Sequence, residues 1–162
     1  MGTYILNKER VVDFKLDEKL YNVLIRITSP GVAFMDLKYK RIYRDILELQ
    51  FFDFPDDSSG LYIFNDTNLK KCLNFFEKHK NCQNMVIHCE KGISRSAAVA
   101  VGWFLYNDNH HSIYKLYHED KHMPNRLIVE HFYEALKQDI RRIDKWEKER
   151  FERLTGKKYP GR

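Results

Sequence analysis

His88, Cys89, Gly92, Arg95 and Ser96 fall within nine consecutive positions of a 162-residue chain. Before them runs the wholly apolar Met85-Val86-Ile87, and after them Ala97 to Tyr106, apolar on all sides. A buried strand, a polar loop and a buried helix are expected in that order. Glu90, Lys91, Gly92, Ile93 and Ser94 can then turn their backbone N–H groups inward, with a helix N-terminus behind them. Such a concavity suits a tetrahedral dianion. Gly92 permits a positive φ and a close backbone approach, and Arg95 can hold two oxygens bidentately where lysine would not. Helix N-termini and cationic neighbours favour the sulfur anion, so Cys89 is expected to be a thiolate nucleophile at neutral pH. Ser96 can donate its hydroxyl to that thiolate, and His88 is expected to orient the loop through backbone hydrogen bonds. A lone cysteine at a strand end is ordinarily a small buried hydrophobe. Cysteine, glycine, arginine and serine in fixed register between strand and helix point instead to phosphoryl chemistry.

The rest of the chain must position that loop. Tyr21 to Thr28 is rich in β-branched and aromatic residues and stops at Ser29-Pro30-Gly31, a strand and a turn. Ile46 to Phe52 alternates Leu47, Leu49 and Phe51 against Glu48 and Gln50, a second strand with one wetter face. A polar loop, 53–60, follows. Asp66-Thr67-Asn68 offers helix caps, and Leu69, Cys72, Leu73 and Phe76 mark an amphipathic helix to about Lys80. Two more helices are predicted over 112–119 and 126–136, separated by Met123-Pro124-Asn125. Strands alternating with helices predict an α/β domain with a central, mostly parallel sheet flanked by helices. It should span residues 1–137. Residues 138–162 should form a basic, amphipathic helical extension that packs by Ile140, Ile143, Phe151 and Leu154.

His88-Cys89-x5-Arg95-Ser96 resembles the signature of the cysteine-dependent protein tyrosine phosphatases. The small size and the Arg-Ser-Ala ending are similar to the compact dual-specificity branch in its bacterial and phage-type form. The likeness covers roughly residues 20–137. It implies a dual-specificity phosphatase-like fold and a metal-independent hydrolase that works through a phosphocysteine intermediate, without cofactors. It also implies a general-acid aspartate on the loop after the preceding strand. Leu49-Gln50-Phe51-Phe52-Asp53 runs directly into such an acid, which selects Asp53, while Asp56 and Asp57 stay open as alternatives. Asn125 matches the family's Pro-Asn turn, which supports the phosphate loop from behind. The expected substrate is a phosphorylated protein or peptide, with phosphotyrosine preferred and phosphoserine or phosphothreonine also accepted. One acid and one base, Glu90 and Lys91, in the loop favour this over the alternatives, an RNA 5′-phosphate or phosphoinositide phosphatase. A phosphate-binding interaction module is the non-enzymatic alternative. Phe52, Phe54 and Tyr62 are expected to pack into the core rather than line the cleft.

Composition narrows the remainder. Hydrophobic residues make up 43% of the chain and Gly plus Pro only eleven positions, which excludes disordered and low-complexity classes. No apolar run approaches the ~20 residues of a membrane helix, and the N-terminus lacks the pattern of a secretory signal. A soluble, cytoplasmic monomer is expected, in the host cytoplasm if the chain is viral. Three cysteines without CxxC spacing argue against a disulfide framework. Cys72 is read as a core thiol and Cys82 as a surface one. His118 and His122 stand four apart, but Pro124 ends that segment and no third metal ligand is evident. Net charge is +5, and residues 138–162 carry nine basic against five acidic side chains. A solvated helix face is the main reading of that tail, with nucleic-acid docking the lesser one.

Overall fold

The computed structural model describes residues 2–57 and 62–161. Four strands form one sheet: β1 (Gly2–Leu6), β2 (Asn22–Thr28), β3 (Tyr43–Gln50) and β4 (Asn84–His88). Their order is β1-β4-β2-β3, and every pairing is parallel. Among the described residues there are six helices: α1 (Lys8–Asp13), α2 (Asp66–Lys78), α3 (Arg95–Tyr106), α4 (His110–His118), α5 (Arg126–Ala135) and α6 (Arg141–Thr155). A 3-10 turn spans Lys40–Ile42.

The central strands are apolar because both of their faces are covered. Val23, Ile25 and Ile27 of β2, with Met85 and Ile87 of β4, enter the large core formed with α2, α3, α5 and Ile143 of α6. Leu24 and Val86 point the other way, into a smaller cluster with Leu6, Val11, Ile42 and Tyr43. Strand alternation sends Arg26 and His88 to that second face, where the register sets them side by side. Helix α3 is buried over nearly its whole length. At Gly102 an added Cβ would stand 2.5 Å from the Phe132 ring, so glycine there lets α3 and α5 approach.

The predicted strands and helices all form, with shifted ends. The second predicted strand begins at Tyr43 rather than Ile46, and α4 begins at His110, capped by Asn109, whose side chain accepts from the Ser112 N–H at 3.2 Å. The structure adds two elements, β1 and α1, which the sequence left unassigned. Part of the loop predicted over 53–60 lies outside the described residues. The extension docks by the first half of the predicted stripe. Ile143 is fully buried and Ile140 packs against the core, but Leu154 is 54% exposed, and Trp146 and Arg150 complete the docked face. Cys72 is buried as expected, but Cys82 is half-buried against the core rather than a surface thiol, and burial pushes it up to about 11. Among the described residues no helix is long and apolar enough to cross a membrane.

Candidate active site

Because the sheet is parallel, all four strands end at the same edge, where ligands of open α/β sheets bind. A cleft of about 690 Å³ opens there. Ser29, just past β2, Asp53, past β3, and Cys89, Glu90, Lys91, Ile93, Ser94 and Arg95, past β4, all line it.

Cys89 stands one residue beyond β4 and is 2% exposed. Its Sγ receives the Gly92 backbone N–H at 3.2 Å and lies 3.0 Å from Ser96 Oγ. The loop bends back at Gly92, where φ is +69° and an added Cβ would meet the Leu6 and Asn7 backbone at 2.8 Å. β1 is therefore the underside of the loop. The Cys89 N–H donates to the Leu6 carbonyl at 3.3 Å, and the Lys8 N–H donates to the Glu90 carbonyl at 3.2 Å. Nothing in the loop motif itself pointed to this N-terminal brace. Its one signal is the short apolar run Thr3-Tyr4-Ile5-Leu6.

Arg95 opens α3 and is held before any ligand arrives. Its Nη1 donates to the Phe51 carbonyl at 2.8 Å and to Ser29 Oγ at 3.0 Å. The Glu90 carboxylate lies 3.8 Å from Nη2. Two fixed bonds on one edge of the guanidinium leave its orientation set, which is the preorganisation that bidentate oxyanion binding needs.

Asp53 faces the loop. Its Oδ1 accepts from Ser94 Oγ at 2.7 Å and from Asn125 Nδ2 at 2.8 Å. Asn125 also caps α5, accepting the Ile128 N–H at 3.1 Å, and its own N–H donates to the Ser94 carbonyl at 3.1 Å. One asparagine thus ties the Asp53 loop, the Cys89–Arg95 loop and α5 together. Asp56 and Asp57 are exposed and do not line the cleft. The aromatic expectation fails: Phe54 is 39% and Tyr62 67% exposed, so neither packs in the core. Both sit on a surface turn with Phe52, whose N–H donates to the Tyr62 carbonyl at 2.7 Å.

His88 has a second anchor that its sequence position does not suggest. Its Nε2 accepts from Arg26 Nε at 3.1 Å, so the ring is tied to a neighbouring strand as well as lying beside the Cys89 backbone. Arg26, unremarked in the sequence, is 6% exposed and also donates to the Met35 carbonyl at 2.6 Å. Burial, then the adjacent Arg26 charge, push His88 down to about 4, against a smaller upward pull from the Cys89 backbone. An unfolded chain would protonate this histidine near its ordinary ~6.5. Stability tied to neutral His88 is therefore complete above about pH 6.5 and is lost progressively as pH falls toward 4. The loss should reach about 3 kcal/mol. Urea unfolding of wild type and His88→Gln at pH 7 and pH 4 checks this. The variant should lose distinctly less stability over that interval, and equal losses would refute the assignment.

Among the described residues, no group of three or more His, Cys, Asp or Glu side chains is placed to hold a metal ion.

No protein-family model matches the chain, and no curated protein sequence does. Solved structures do. Human tyrosine phosphatase-like serine/threonine/tyrosine-interacting protein matches with TM-score 0.55 and 20% identity, over 84% of this chain and 93% of that one. A variant of human DUSP28 matches with TM-score 0.54 and 13% identity, over 83% and 91%. PTPMT1 in complex with PI(5)P matches with TM-score 0.50 and 21% identity, over 80% and 83%. At these identities the likeness concerns architecture. This chain has the α/β fold of the dual-specificity phosphatases, with its cysteine–arginine loop at the carboxyl edge of the sheet.

Proposed function

We propose that this chain is a phosphatase of the cysteine-dependent tyrosine phosphatase superfamily. It hydrolyses phosphotyrosine, and with less efficiency phosphoserine and phosphothreonine, in proteins. One observation carries the proposal: Cys89 Sγ accepts the Gly92 N–H and lies 3.0 Å from Ser96 Oγ, in the cleft that Arg95 and Asp53 also line.

In the first step Sγ attacks phosphorus, the bond from phosphorus to the ester oxygen breaks, and Asp53 gives that oxygen its proton. The loop N–H groups and Arg95 bear the charge that spreads over the equatorial oxygens. In the second step the Asp53 carboxylate takes a proton from water. That water attacks the phosphocysteine, the S–P bond breaks, inorganic phosphate leaves, and the thiolate returns under the Ser96 hydroxyl.

Mixed charge in the cleft supports a peptide over a polyanionic substrate. Asp53, Glu90 and Glu147 line it together with Lys91, Arg95, Arg126 and Arg150. The test is a panel in EDTA: a phosphotyrosine peptide, a phosphothreonine peptide, a soluble phosphoinositide and an RNA 5′-triphosphate. The phosphotyrosine peptide should show the highest kcat/KM. A phosphoinositide or RNA turned over faster than either peptide would refute the protein-substrate assignment. Phosphate binding without turnover would refute the enzyme.

A further inference from the structure

The C-terminal helix contributes part of the cleft wall. Arg126 of α5 and Glu147 and Arg150 of α6 line the same cleft as Cys89 and Arg95. These two arginines differ in what they are bound to. Arg126 meets three carboxylates, Asp144 at 2.6 Å, Glu130 at 2.7 Å and Glu147 at 3.4 Å. Its charge is consumed in pinning α6 to α5.

Arg150 is 6% exposed, and its Nη1 donates to a neutral group, the His122 carbonyl, at 3.1 Å. The guanidinium lies 5.3 Å from the centre of the Tyr117 ring. Burial holds Arg150 below the ordinary arginine range, against a lesser upward pull from Tyr117 and Asp120. Asp120 is itself bound by Arg153 at 2.5 Å. A desolvated cation held by a carbonyl and a ring face gains more from an incoming anion than one already paired. A planar guanidinium with five donors also fits a carboxylate or phosphoryl group better than a point charge does.

We propose that Arg150 is a specificity residue that receives an anionic side chain flanking the phosphorylated residue of a peptide substrate. That side chain carries a carboxylate or a second phosphoryl group. The proposal rests on the phosphatase function above and gives that site a substrate preference. Peptide is favoured over a chain of phosphates because Glu147 and Glu90 share the wall with Arg150: one anion meets the guanidinium, while each further phosphate meets like charge.

The experiment compares kcat/KM for phosphotyrosine peptides bearing Glu, phosphoserine, Gln or Lys at each of two positions on either side. Wild type should prefer an acidic residue at one position over Gln by about tenfold. Glu and phosphoserine peptides show which anion is taken. Arg150→Met should flatten the preference, and Arg150→Glu should turn it toward the Lys peptide, which a merely structural arginine would not do. Lys148→Gln, an exposed change on the same helix, should keep it. Equal wild-type rates on Glu and Gln peptides would overturn the inference without any variant, as would a preference surviving in both Arg150 variants. A soluble inositol bisphosphate that outcompetes every peptide, and loses that advantage in Arg150→Met, would overturn the peptide occupant. Turnover of aryl phosphate with indifference to flanking charge would overturn this inference alone. Turnover of no phosphate ester would overturn the phosphatase function and this inference with it.

Discussion

Cys89→Ser should lower aryl phosphate turnover at least ~10⁴-fold, the scale on which removing a covalent nucleophile acts. Serine keeps the size and the polarity, so the loop should still form. What it lacks is the nucleophilic sulfur. A serine hydroxyl in the same place stays protonated, because neither the Gly92 N–H nor the Ser96 hydroxyl beside it is a base. The variant should therefore still bind phosphate, with Arg95 held by Phe51 and Ser29 as before. Steady-state hydrolysis and phosphotyrosine peptide binding, measured on the same preparation, separate the two properties. Residual activity within a hundredfold of wild type would mean that another group attacks phosphorus. Acid quenching of wild type during turnover should also trap phosphate on the chain, and Cys89→Ser should trap none.

The Cys89–Arg95 loop was legible because everything that shapes it is local. An apolar run in the strand, a glycine at the bend and an arginine at the first helical position fall within a dozen residues. The strand before Asp53 was legible from its alternation, and Asp53 from its position past the strand exit. What stayed hidden depends on distance along the chain. The Arg26–His88 pair joins residues 62 positions apart, and only the parallel register of β2 and β4 brings them together. Asn125 and Asp53 are 72 apart. β1 escaped notice since five residues carry too short an alternation, and the strand acquires meaning only when β4 supplies its partner. The extension could be read as amphipathic, but not as a cleft wall. Its buried face is chosen by Ile143 and Trp146, and that choice turns Arg150 inward and Leu154 out.

This geometry also separates the three aspartates. Asp53→Asn should lower kcat on phosphoserine or alkyl phosphate by ~10²–10⁴-fold, the range of general acid–base catalysis. The loss should shrink to about tenfold or less on an aryl phosphate whose leaving group departs without a proton. Asparagine preserves the acceptor oxygen that Ser94 Oγ and Asn125 Nδ2 use at 2.7 and 2.8 Å, so the loop should keep its position. With Oδ1 engaged by two donors, proton transfer to the leaving oxygen falls to Oδ2. Asp56→Asn and Asp57→Asn change exposed side chains that do not line the cleft, and both should stay within twofold of wild type on every substrate. A linear free-energy plot of log kcat against leaving-group pKa shows the difference directly. Wild type, Asp56→Asn and Asp57→Asn should give shallow lines, because a donated proton cancels the charge on the departing oxygen. Asp53→Asn should give a steep one. A shallow line for Asp53→Asn, or a steep line for Asp57→Asn, would move the acid to another residue of the loop.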